Sequence, residues 1–179
     1  MMRTPLLTFL SFPLLLGGCH FFGGDNPPLD VVPSVDLERY AGKWYEIASV
    51  PVPQQRGCSC TTAEYTLLED GSVRVVNTCR KGGPGGEVES VDGTAFAVPN
   101  SNNAKLKVQF FWPFRGDYWI LELDPDYRSA LVGTPNRKYF WILSRTPSMD
   151  ETLLSDLLAT AAERGFDTTR VQRTVQDCL

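Results

Sequence analysis

Lys105-Leu106-Lys107-Val108-Gln109-Phe110 alternates polar and apolar side chains without a break. A period of two puts Leu106, Val108 and Phe110 on one face and two lysines and a glutamine on the other. This is the pattern of a strand with one side in a core and one in water. Segments of the same kind recur on both sides of it. Upstream, residues 61–68 lead through Glu69-Asp70-Gly71 into residues 72–80, which predicts a hairpin with Gly71 in the left-handed conformation. Gly82-Gly83-Pro84-Gly85-Gly86 is a turn before a strand over 87–98, with Gly93 as a bend, and Asn100 to Asn103 form the next turn. Residues 44–50 open the series, and residues 118–123, 130–133 and 139–145 complete it. Their joins fall at 112–116, 124–128 and 134–138. Eight short strands on hairpin-sized loops predict an all-β fold, an eight-stranded up-and-down antiparallel barrel.

Helical signals flank the strands. Asp36 can cap a short turn over 37–41, ended by Gly42. Beyond the strands, Ser148 or Asp150 caps a helix. Its apolar stripe is Leu153, Leu154, Leu157, Leu158, Ala161 and Ala162, and Gly165 ends it. A stripe of that width predicts one C-terminal α-helix packed on the outside of the barrel. Residues 168–175 are expected to form a short last strand.

The first residues carry a different kind of information. Arg3 precedes an apolar run over 6–16, too short for the roughly 20 residues that cross a bilayer but suited to a secretory leader. Leu16-Gly17-Gly18-Cys19 resembles the bacterial lipoprotein processing motif, in which the peptide is cut before a lipid-modified cysteine. The resemblance implies a signal peptide over 1–18, a lipid anchor on Cys19, a lipidated tether over 19–35 and a barrel domain over 36–179. His20 stands where an Asp would favour the inner membrane, so the expected location is the outer membrane of a bacterial envelope.

Charge and rare residues exclude several functions. The chain carries a formal charge of −4, and losing Arg3 with the leader makes it −5. Nucleic acid, which wants a basic face, is therefore not an expected partner, and adhesion to anionic lipid by overall charge is disfavoured. The one histidine is His20, in the tether, so serine–histidine and cysteine–histidine pairs and imidazole-ligated zinc are excluded from the body. Four cysteines follow Cys19: Cys58, Cys60, Cys79 and Cys178. In an oxidising compartment they form two disulfides with three possible pairings. No catalytic residue, metal or cofactor is expected.

Gly42-Lys43-Trp44-Tyr45, after a short helical turn and at the start of the first strand, resembles the first motif of the lipocalins. Asp124-Pro125-Asp126-Tyr127 before Ala130-Leu131-Val132 is similar to the second, and Arg145 to the third. The resemblance spans about residues 36–178 and is strongest to the bacterial outer-membrane lipocalins and to apolipoprotein D. It implies that Trp44 plugs the closed end of the barrel under the guanidinium of Arg145. It also implies a bridge from Cys60, five residues before Tyr65, to Cys178, leaving Cys58 with Cys79. The rival is Cys60–Cys79 with Cys58–Cys178.

An eight-stranded barrel holds one small ligand. Carried over from the family, the lining is Ala48, Ala63, Tyr65, Val75, Asn77, Ala95, Ala97, Leu106, Val108, Phe110, Tyr118, Ile120, Ala130, Val132, Tyr139 and Trp141, with Glu46 the inward acid. The small residues at 48, 63, 95, 97 and 130 are expected to leave room, and Asn77, Tyr118 and Tyr139 to orient a polar head. A register slip at a bulge turns such a set outward. The expected partner is a fatty acid or lysophospholipid. Burial of a sixteen-carbon chain yields roughly 12 kcal/mol gross before the costs of binding. The alternatives are a lipid-modifying enzyme on the same barrel and a structural envelope lipoprotein without ligand. Phe110-Phe111-Trp112-Pro113-Phe114, between two strands, is expected as a lid, a membrane-touching lip or a homodimer contact.

Overall fold

The computed structural model describes residues 27–178. The alternating segments become strands β1 (Gly42–Ser49), β2 (Cys58–Leu67), β3 (Val73–Lys81), β4 (Glu87–Ala97), β5 (Lys105–Phe111), β6 (Phe114–Leu123), β7 (Ser129–Gly133) and β8 (Phe140–Ser144). Each pairs antiparallel with the next, and β1 pairs with both β2 and β8, which closes the barrel. A two-residue strand β9 (Gln172–Arg173) adds to β1. In β5, Leu106 and Val108 are buried while Lys105, Lys107 and Gln109 remain half-exposed, as a period of two requires. The β2–β3 turn rests on Gly71 at φ +80° and on Asp70, whose Oδ1 accepts from Ser72 N at 2.9 Å and Ser72 Oγ at 2.6 Å. Those hydrogen bonds hold the Asp70 carboxyl below its ordinary pKa.

Two apolar clusters share the wall. One lines the inside of the barrel around Trp44, Tyr65, Leu106 and Ile120. The other lies between the outside of the barrel and helix α2 (Glu151–Glu163), where Leu154, Leu157 and Ala161 meet Leu131, Phe140 and Ile142. Leu153 and Ala162, expected in the stripe, face water, so the buried stripe is narrower than the sequence suggests. Asp150 caps α2, its Oδ1 accepting from Thr152 N (2.9 Å) and Leu153 N (3.1 Å). Replacing Asp150 with Ala is expected to cost about 1 kcal/mol, read as a fall of about 3 °C in melting temperature. No change in melting would show that the cap contributes nothing.

Both ends of the chain differ from expectation. Residues 29–35, expected as tether, pack against the barrel: Leu29 and Val35 are buried, and Val32 N donates to Ile120 O at 3.0 Å. The apolar side chains of Leu29, Val31, Val32 and Val35 give this segment its hold. The strand expected over 168–175 is a 3₁₀ turn, Thr168–Arg170, followed by β9. The disulfides are Cys58–Cys79, with Cα atoms 5.5 Å apart, and Cys60–Cys178, at 6.1 Å. The β2–β3 register shifts between Ser59 and Thr62, where Cys60 adopts φ +53°.

Candidate ligand-binding site

The floor of the barrel is built by two motif residues. Trp44 is fully buried, and the Arg145 guanidinium lies 4.0 Å from its ring centroid. The same guanidinium donates to the carbonyls of Arg39 (2.8 Å), Lys43 (3.0 Å), Tyr40 (3.1 Å) and Tyr127 (3.1 Å), binding four points of the closed end together. Trp44 Nε1 donates to Tyr40 O at 2.9 Å. One planar fork thus fixes helix α1 (Leu37–Tyr40), the start of β1 and the β6–β7 loop at once.

Three tyrosines converge next to this floor. The Tyr40 and Tyr118 hydroxyls are 2.7 Å apart, and Tyr65 Oη donates to Tyr118 Oη at 3.0 Å. The Tyr40 ring centroid lies 4.9 Å from Trp44 and 5.5 Å from Tyr65. Burial pushes the Tyr65 pKa up to about 12 and those of Tyr40 and Tyr118 well above their ordinary value, so all three remain neutral donors in the physiological range. Three hydroxyls in a row carry three protons and make two hydrogen bonds among themselves. One O–H therefore has no acceptor within the trio and can serve a ligand oxygen. Tyr40 escaped the sequence reading because it sits on the α1 turn, outside any strand whose alternation would point it inward.

The expected lining divides into three groups. Tyr65, Val75, Ala95, Leu106, Val108, Ile120, Ala130 and Val132 are buried in the interior cluster. Ala63, Phe110, Tyr118 and Trp141 pack against that cluster and keep accessible surface, as does Asn77, register partner of Ala63 and Val91. Ala48, Tyr139 and Ala97 are corrections. Ala48 packs in the outer cluster with Val50, because the β1 register breaks between Glu46 and Ala48 and reverses the faces beyond. Tyr139 precedes β8 and packs against the same outer cluster. Ala97 lies exposed at the end of β4. The small side chains of Ala95 and Ala130 are themselves enclosed, and of the five positions expected to leave room only Ala63 both packs against the interior cluster and keeps accessible surface. Gly93 yields no room either: a Cβ there would meet Phe110 Cδ1 at 2.6 Å, so the Phe110 ring already covers it.

Glu46 is buried, and its carboxylate is fully engaged. Oε1 accepts from Ser49 Oγ (3.0 Å) and Thr174 Oγ1 (2.6 Å), and Oε2 accepts from Gln55 Nε2 (2.9 Å). Its role is to tie the β1–β2 connection and the C-terminal tail to β1. The cleft beside it is walled by Glu46, Ser49, Gln55, Thr61 and Thr174 and is polar, unlike the interior wall.

Comparison with known proteins agrees with this geometry. Residues 35–176 match the family model of the lipocalin-like domain. The chain is 43% identical over 161 residues to temperature-induced lipocalin-1 of Arabidopsis thaliana, covering 85% of each chain. It is 40% identical over 171 residues to the outer membrane lipoprotein Blc of Vibrio cholerae, covering 95% of this chain and 96% of that one. Among solved structures, lobster apocrustacyanin A1 superposes with a TM-score of 0.64 at 23% identity over 78% of each chain, a likeness of fold. With its motif residues in place, its closed eight-stranded barrel and these relatives, the chain belongs to the lipocalins, a family that binds small hydrophobic ligands.

Proposed function

We propose that this lipocalin stores or carries a single-chain lipid, a fatty acid or lysophospholipid, in a bacterial envelope, while Cys19 tethers it by a lipid anchor to the outer membrane. The observation that carries the ligand assignment is the tyrosine trio with its unspent O–H, set below a wall that stays accessible at Ala63, Phe110 and Trp141. Apolar wall and few polar groups are what an acyl chain with one oxygen-bearing end requires. Binding rather than catalysis is supported by the state of the reactive groups. The cysteines at 58, 60, 79 and 178 are bridged, and Glu46 is engaged by three donors. For the anchor, support comes from Leu16-Gly17-Gly18-Cys19, which lies outside the described residues, and from likeness to an outer membrane lipoprotein.

Organic extraction of the purified protein is expected to release a single-chain lipid, and its mass distinguishes fatty acid from lysophospholipid. A second test uses Ala63, since Ala95 is already enclosed. Ala63→Trp is expected to weaken binding of a fluorescent fatty acid at least tenfold, about 1.4 kcal/mol, with the melting transition retained. Equal affinity in a folded variant would overturn the site.

A further inference from the structure

The barrel has two chemically different ends. Closed-end connections carry acids: Glu69 and Asp70 between β2 and β3, Asp124 and Asp126 between β6 and β7, and Asp36 and Glu38 at α1. The connections at the other end, residues 50–57, 82–86, 112–113 and 134–139, contain no Asp or Glu and carry Arg56, Arg137 and Lys138, with Lys81 and Arg115 beside them. Among the acids at this rim, Glu87 and Glu89 begin β4, with Glu89 pairing with Lys81 at 3.8 Å, and Asp167 caps the 3₁₀ turn that brings Arg170 beside Arg56. The net negative charge of the chain thus hides a mouth that is locally positive.

The same mouth holds an unburied aromatic tip. Phe111 and Phe114 pair across the β5–β6 hairpin, and Phe111, Trp112 and Phe114 are 68%, 84% and 77% exposed, the highest values for large apolar residues among those described. A tip of Trp and Phe flanked by cations has the composition of a bilayer-interface anchor.

The path of the N-terminal segment selects the bilayer over other partners. Val35 N donates to Asn102 O at the closed end, Val32 N to Ile120 O part-way along β6, and Arg164 Nη1 to Asp30 O at 3.0 Å. Pro27 O accepts from Arg137 of the β7–β8 loop, at the mouth. The described chain therefore leaves the barrel at its open end. Cys19 is eight residue steps further back, which at full extension reach about 28 Å.

We propose that the mouth of the barrel faces the membrane that holds Cys19, with Phe111, Trp112 and Phe114 seated at headgroup level against anionic phospholipid. This rests on the lipid-anchor reading above and extends it: a ligand enters and leaves through the mouth directly from the bilayer. Overall charge does not oppose the contact, because the four connections at the mouth carry three cations and no acid, whereas six acids stand at the closed end.

The test uses the full chain, expressed with its leader and reconstituted in vesicles of phosphatidylglycerol and phosphatidylcholine with brominated acyl chains. Mass spectrometry first reports whether Cys19 is acylated. In the acylated protein, bromine is expected to quench tryptophan emission. Trp112→Ser, at a solvent-exposed position, is expected to reduce that quenching at least threefold with an unchanged circular dichroism spectrum. The paired variant Phe111→Ser with Phe114→Ser is expected to reduce it at least twofold with Trp112 still present. Acylated protein whose emission is unquenched, or quenched equally in Trp112→Ser, overturns the mouth-down contact and leaves the anchor intact. A Trp112-dependent dimer in place of quenching overturns it in favour of a second copy on the tip. Absence of acyl chains on Cys19 overturns the anchor reading and the proposal with it.

Discussion

Between pH 10 and pH 12 the barrel is expected to lose at least about 3 kcal/mol of folding stability, and to unfold in the upper part of that range. The source is the tyrosine trio. An unfolded tyrosine ionises near 10, while burial holds Tyr65 at about 12 in the folded chain. A group whose folded pKa is raised contributes its full stability below the unfolded value and loses it as pH climbs through the folded one. Two pH units at about 1.4 kcal/mol each give about 3 kcal/mol for Tyr65 alone once the pH has passed the folded value, and most of it by pH 12. Tyr40 and Tyr118 are raised for the same reason, and each would place a second charge beside the first, so their contributions share the sign. Chemical denaturation at stepped pH measures the loss. The share of tyrosinate absorbance that belongs to Tyr40, Tyr65 and Tyr118, three of the six tyrosines, is expected to rise together with unfolding and not before it. A stability profile that stays flat from pH 10 to 12, or tyrosines that all ionise in the folded barrel, would contradict this account.

Arg145→Ala is expected to lower stability by about 3 kcal/mol, and the melting temperature by roughly 6 to 12 °C. The substitution removes the stacking on Trp44, worth roughly 0.5 to 2 kcal/mol. It also leaves the partly buried carbonyls of Tyr40 and Tyr127 without this donor, whereas the more exposed Arg39 and Lys43 carbonyls turn to water. Arg145→Lys is expected to recover only part of the loss: an ammonium can sit over the indole but cannot span four carbonyls with a planar fork. A melting temperature for Arg145→Ala within about 2 °C of wild type would show that the closed end does not depend on this residue.

The strands were legible because their two sides meet different solvents, which writes a period of two into β5 and a turn signal into Glu69-Asp70-Gly71. The site was legible only in part, for reasons visible at single residues. The register break after Glu46 carries no Gly or Pro signal, so Ala48 reads as lining although it packs outside with Val50. Small side chains at Ala95 and Ala130 do not by themselves leave space, since neighbours from adjacent strands close over them. Tyr40 contributes to the interior from a helical turn. Residues 29–35 show no periodicity, yet four apolar side chains and a few backbone bonds are enough to dock an extended segment on a finished wall.

The tail at 172–178 fills the seam where β1 and β2 part. Those strands pair only over Gly42–Tyr45 on the β1 side, and beyond that the tail takes over. Thr174 N donates to Ile47 O, Cys60 N to Val175 O, and Gln176 Nε2 bridges Glu46 O and Thr61 O. The cylinder is thus stitched shut by the segment that follows helix α2. Until residues 172–178 dock, the sheet keeps an unclosed slit, and completion waits for contacts more than a hundred residues apart in sequence, the slow kind to form.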